Sequence, residues 1–110
     1  MDFEFFLSEF SLDRDSFDLS ELIIPEQKTV VFCRNNVIKE LILPNELKTI
    51  RCDDNKIQKL IIPNSLKQIW CRNNLITDLN LPEFCTECLC DLLKTVEFSK
   101  CKNLDLVMSI

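Results

Sequence analysis

The amino-acid sequence predicts a solenoid of mixed α/β class built from 19-residue turns, and three series of identical residues predict it. Pro25, Pro44, Pro63 and Pro82 are each 19 positions apart, and Cys33, Cys52 and Cys71 keep the same step. Asn36, Asn55 and Asn74 keep it as well. Written out, the units are ELIIPEQKTVVFCRNNVIK, ELILPNELKTIRCDDNKIQ and KLIIPNSLKQIWCRNNLIT, after which DLNLPEF opens a fourth. Identity in register over successive units is the mark of stacked supersecondary repeats, each burying its apolar face against the next.

The unit carries the pattern Leu47-x-x-Ile50-x-Cys52-x-x-Asn55-x-Ile57, and again Leu66-x-x-Ile69-x-Cys71-x-x-Asn74-x-Ile76. This resembles the leucine-rich repeat, LxxLxLxxN/CxL. The first copy has Lys28 where Leu is expected, followed by Val31, Cys33, Asn36 and Ile38. A last copy is read after an eight-residue insertion, as Leu93-x-x-Val96-x-Phe98-x-x-Cys101, with Leu104 one place late. The resemblance covers about residues 19–106. It implies a right-handed leucine-rich-repeat solenoid with a short-stranded parallel sheet.

Each position in the unit has a physical reason. Around Ile50 the chain is a short strand, so Ile50 and Cys52 point inward while Thr49, Arg51 and Asp53 point to solvent. Strands of successive turns lie about 4.8 Å apart, which stacks equivalent side chains into columns. The Asn turns inward and pairs backbone groups where the chain leaves the strand, and losing such a pairing costs about 1–3 kcal/mol. Few residues remain after the signature, and one of them is a proline, which disfavours helix. An extended or 3₁₀ convex side is therefore expected.

The ends need covering, because an open solenoid end exposes core and strand edge. Phe3, Phe6, Leu7 and Phe10 are spaced as one face of a helix, with Asp2 as N-cap, and predict a small helical cap. The expected layout is thus an acidic N-terminal cap over 1–18, repeats over 19–83, a cysteine-rich insertion over 84–92, and a last repeat with C-terminal cap over 93–110. An open edge also invites a second copy, so a homodimer is expected.

Composition excludes several chemistries. The chain has no His and no Gly. His-dependent triads and His-metal motifs are therefore absent, as are glycine loops that cradle phosphate. No apolar run is long enough to span a bilayer, and the acidic start MDFEFFLSEF does not read as an export signal. The net charge of −5 is concentrated: residues 1–22 hold seven acids and one base, and the remainder twelve bases and eleven acids. There is no broad basic field for nucleic acid.

Seven cysteines remain. Cys33, Cys52 and Cys71 occupy inward strand positions, where Cys serves as a small apolar residue. Cys85, Cys88, Cys90 and Cys101 raise the possibility of a Cys₄ zinc site. Against it, the repeat already explains Cys101, Cys90 lies one period after Cys71, and only one CxxC knuckle is present. The sequence therefore reads as having no metal and no cofactor. The odd cysteine count and the lack of an export signal point to a reducing, cytoplasmic setting.

The outward face of the sheet is the candidate site. Its central column reads Phe32, Arg51, Trp70 and Glu97, and the neighbouring one Arg34, Asp53, Arg72 and Ser99. The flanks are Thr29, Lys48, Lys67 and Lys94 on one side, and Asn35, Asp54, Asn73 and Lys100 on the other. An Arg between two aromatics can stack on both, and an exposed Trp beside Arg has the composition of an interface hot spot. The expected function is a protein-interaction module binding through Phe32, Arg34, Arg51, Asp53, Trp70 and Arg72. The alternative is weak nucleic-acid binding by Arg34, Arg51 and Arg72 with Trp70 as stacking platform, opposed by Asp53, Asp54 and Glu97 in the same face. A self-satisfied solvated surface is the bland reading.

Neither a membrane partner nor a small-molecule substrate is expected. No catalytic residue is expected either, since a Cys nucleophile would lack a His base. Bacterial leucine-rich-repeat ubiquitin ligases have similar short repeats but carry a separate catalytic domain, for which this sequence leaves no residues. The compact units, strand Cys and Lys/Asn/Ile-rich style look like the leucine-rich-repeat proteins of giant, mimivirus-like DNA viruses. That likeness implies an adaptor or decoy acting inside a host cell.

Overall fold

The structure, a computed structural model, describes residues 11–90 and the backbone of two later strands. It is a parallel β-solenoid of about four turns. Among the described residues eight short strands appear in chain order: β1 Ser11–Asp13, β2 Val30–Phe32, β3 Thr49–Arg51, β4 Gln68–Trp70, β5 Asp78–Asn80, β6 Glu87–Cys90, β7 Thr95–Glu97 and β8 Leu106–Ser109. Six of them form one parallel sheet in the order β1-β2-β3-β4-β6-β8, and β5 pairs with β7 in a second. In the main sheet Ser11, Val30, Thr49, Gln68, Glu87 and Leu106 are successive register partners, a 19-residue step throughout.

One turn shows how the sequence makes the fold. The carbonyl of Pro44 accepts a hydrogen bond from the Leu47 amide (3.2 Å), a β-turn that delivers the chain to β3. Pro25, Pro63 and Pro82 do the same for Lys28, Leu66 and Cys85. Proline fixes its own φ and has no amide to leave unpaired, so it suits this recurring corner. After β3, Asp54 takes a left-handed φ of 59°, and Ser16, Asn35 and Asn73 take the equivalent values of 59°, 56° and 54°. With no glycine in the chain, Asn and Asp carry most of this column because their short polar side chains tolerate that region best.

The core is a stack of inward columns. Val31, Ile50 and Ile69 are fully buried in mid-strand, and Cys33, Cys52 and Cys71 follow them two residues later. Leu47, Leu66, Ile38 and Ile57 complete the interior, also fully buried. At about 1.5–3 kcal/mol for each large aliphatic side chain removed from water, these columns dominate the stability.

Three expectations change. First, no helix occurs among the described residues, so the architecture is a β-solenoid rather than an α/β one. The convex side is extended, as the parallel bridge Glu40–Lys59 shows. Second, the helical part of the expected cap, Asp2–Phe10, lies outside the described residues, while Ser11–Asp13 forms β1 and pairs with β2. The segment 11–18 is therefore part of the solenoid, with Leu12 buried at the inward position.

Third, the segment read as an insertion over 84–92 contains β6, in register with β4. Cys85, Cys88 and Cys90 stand where the previous turn has Leu66, Ile69 and Cys71, and all three are buried. Thiols are apolar enough to fill these places, so the repeat continues with altered lettering. Val96 belongs to β7, which pairs with β5 across a 17-residue step, and the next main-sheet strand is β8.

Candidate functional site: the outward face of the main sheet

The register places Asp13, Phe32, Arg51, Trp70 and Leu89 side by side in the central outward column. Leu89 thus takes the place expected for Glu97, which lies in β7 opposite Asn80. Phe32, Arg51, Trp70 and Leu89 are all part-buried, because neighbours in a column cover one another. The Arg51 guanidinium carbon lies 3.8 Å from the Trp70 ring centroid and 5.4 Å from that of Phe32. Strand spacing sets this contact, since adjacent rungs bring a planar cation and a ring within van der Waals reach. Arg51 Nε is buried and has no hydrogen-bond acceptor. The guanidinium lies between the two rings, and it has no carboxylate partner among the described residues.

The next column reads Asp15, Arg34, Asp53 and Arg72. Asp15 accepts three hydrogen bonds from Arg34: one from the backbone amide at 2.6 Å and two from the guanidinium, at 3.1 Å (Nε) and 2.8 Å (Nη2). The Arg34 side chain is 42% exposed, so this ion pair adds at most about 1 kcal/mol. Two turns on, Asp53 accepts the backbone amide of Arg72 at 2.7 Å. Burial pushes the Asp53 carboxyl above its ordinary value, opposed by that amide bond. Arg34 also stands 5.8 Å from the Phe32 ring, linking the two columns. In the outer column Asn35 donates to Ser16 and Asn73 to Asp54, at 3.0 and 2.8 Å. On the opposite flank Thr86 follows Lys67, its amide donating to the Lys67 carbonyl. Lys94, Ser99 and Lys100 lie outside the residues described in side-chain detail.

Behind the face runs an asparagine ladder. Asn55 donates through Nδ2 to the carbonyls of Cys33, Cys52 and Asp53 at 2.9–3.2 Å and accepts the Ile38 amide at 3.1 Å. Asn74 repeats this with Cys52, Cys71, Arg72 and Ile57. Asn36 bonds Arg14, Cys33 and Arg34, and accepts from both Phe17 and Leu19. Each Asn ties its own turn to the one before it. The outward columns therefore stand on a backbone that is cross-linked at three successive rungs.

The thiols play no part in this face. Cys33, Cys52, Cys71, Cys85, Cys88 and Cys90 are unbridged and buried. Burial, then the nearby Asp15 and Asp53 charges, push the Cys33 thiol up to about 12. Burial also drives Cys52 and Cys88 well above the ordinary value. Among the described residues no group of three or more Cys, Asp or Glu is arranged to hold a metal ion, and Cys101 lies outside them.

No family model, curated protein or solved structure matches this chain. Asp13, Asp15 and Leu89 were missed as members of the face, although a 19-residue step back from Phe32 and Arg34, and forward from Trp70, would have found them.

Proposed function

We propose that this protein is an interaction module of leucine-rich-repeat type that presents the outward face of its main sheet to a protein partner. The observation that carries the reading is the Phe32–Arg51–Trp70 stack, in which Arg51 lies 3.8 Å from the Trp70 centroid. Part-buried aromatic and Arg side chains, held rigid before binding, lose little conformational freedom on association and resemble interface hot spots. Arg34, Asp53 and Arg72 form a mixed-charge rim that orients a partner rather than attracting one strongly. Asp13, Asp15 and Asp53 on the same face weigh against nucleic acid.

The buried, proton-retaining thiols support a binding role over catalysis by cysteine, since the thiolate is the nucleophile. Six unbridged cysteines fit a reducing compartment. The asparagine ladder is what the leucine-rich-repeat likeness would require, and the likeness in style to giant-virus repeat proteins supports an adaptor or decoy role in a host cell.

The test is affinity capture from lysate with wild type beside Trp70→Ala/Arg51→Ala, after circular dichroism shows both to be folded. A partner retained by wild type and lost at least tenfold by the variant is expected, because truncating a hot-spot residue costs ~2 kcal/mol or more. Equal capture by both proteins would remove the face from the proposal.

A further inference from the structure

A second ladder lies on the convex side and takes no part in the face just described. From Glu40 to Leu43 side chains alternate, with Glu40 and Ile42 exposed and Leu41 and Leu43 buried. The parallel bridge Glu40–Lys59 and the β5–β7 pairing show that this stretch stacks as extended chain. The outward positions therefore form columns of their own. One column is Ile23, Ile42 and Ile61, at 91, 85 and 75% exposure, and it turns polar at Asn80. Two residues upstream runs the column Glu21, Glu40, Lys59 and Asp78, all exposed. Three isoleucines in register, open to water along one ladder, are an apolar strip of the kind monomeric proteins seldom leave uncovered.

We infer that this strip is the contact between two copies of the chain, packed face to face about a twofold axis through Ile42 with the order of turns reversed. Two features select a second copy as the occupant. The strip has three rungs centred on Ile42, so reversal sets Ile23 against Ile61 of the other copy, Ile42 against itself and Ile61 against Ile23. Every isoleucine then meets an isoleucine, which is the self-complementarity an isologous contact requires.

The charge column changes sign along the same axis. Glu21 stands on the first rung and Lys59 on the third, and neither has an ion-pair partner within the chain among the described residues. Reversal sets each Glu21 opposite a Lys59, twice per dimer. Glu40, on the axis, has Lys39 as its sequence neighbour in each copy, and that residue is exposed too. This arrangement leaves both Phe32–Arg51–Trp70 faces free, and it does not depend on what they bind.

Sedimentation velocity over a wide concentration range tests the inference, with circular dichroism as the folding control. Wild type is expected to pass from monomer to dimer as concentration rises. Ile42→Asp places a carboxylate on the axis twice and is expected to weaken dimerisation by about 100-fold or more. Glu21→Lys is expected to weaken it about tenfold, and Glu21→Lys/Lys59→Glu to restore it, because a surface pair keeps its energy when its signs are exchanged. A strict monomer at every concentration overturns the proposal, as does a dimer indifferent to Ile42→Asp. Failure of the exchanged pair to restore affinity overturns the reversed arrangement. Both substituted charge positions are exposed, so their readout survives even if Ile42→Asp folds poorly.

Discussion

Asn55→Ala is expected to lower the unfolding free energy by about 4 kcal/mol. Asn55 is 3% exposed and holds four backbone groups: the carbonyls of Cys33, Cys52 and Asp53 and the amide of Ile38. Alanine removes every partner at once and leaves no room for water to replace them without opening the core. A buried backbone group left unpaired costs about 1–3 kcal/mol. Part of the loss is offset because the three carbonyls share one donor nitrogen, Asn55 Nδ2, which is why the expected figure is below the sum. A domain of this size has on the order of 5–15 kcal/mol in total, so the variant should melt far below wild type. Urea unfolding checks it, with Asn73→Gly as the control. Asn73 sits one residue from the ladder, is exposed, and has a φ of 54° that glycine accepts, so its replacement should cost well under half as much. Equal losses at the two positions would mean that the ladder bonds contribute little beyond their turn geometry.

Raising the pH above 9 is expected to unfold the protein steeply. The ordinary thiol value is 9.0, and the Cys33 value is about 12 in the folded chain, with Cys52 and Cys88 also raised. Below pH 9 the thiols are neutral in both states and the fold has its full stability. Above pH 9 the unfolded chain gains by ionising while the folded chain cannot, so stability is lost progressively until the folded thiols titrate. Each such thiol contributes a slope of about 1.4 kcal/mol per pH unit, or about 4 kcal/mol per unit for three together.

Urea midpoints between pH 8 and pH 10 measure this slope. Thiolate absorbance reports the ionisation directly, since the chain has no tyrosine to titrate alongside. Cys52→Val, which keeps an apolar side chain in the column, should flatten the slope by roughly a third, the share of one thiol in three. A midpoint that does not move with pH would show that the thiols are hydrated in the folded protein. Below pH 9 a thiol reagent should label Cys33, Cys52 and Cys88 only as fast as the chain opens, because the thiolate is the reactive species and burial suppresses it.

The two surfaces of the solenoid differed in how readily they could be read. The Phe32, Arg51 and Trp70 column follows from the period and the alternation of a strand, and the structure gives the distances. The column read from the sequence starts at Arg34, whereas the Arg34 guanidinium bonds Asp15, which belongs to a turn that has no Pro, Cys or Asn in its signature places. The isoleucine ladder has the same 19-residue step as everything else. The repeat motif treats those positions as interchangeable, and only solvent exposure separates Ile42 from its buried neighbours Leu41 and Leu43.

The amino-acid sequence by itself determined the period, the proline corners, the inward Cys and Asn columns and the outward placing of Phe32, Arg51 and Trp70. Those are consequences of residue identity repeated in register. Only the tertiary structure decided that Ser11–Asp13 already belongs to the solenoid and how it continues past Pro82. At both places the letters change while the geometry does not: Leu12 does the work of Val31, and Cys85, Cys88 and Cys90 that of Leu66, Ile69 and Cys71. A buried position selects for size and apolarity, and a strand pairs through its backbone. Neither demands a particular residue, so the fold runs on after the motif has stopped.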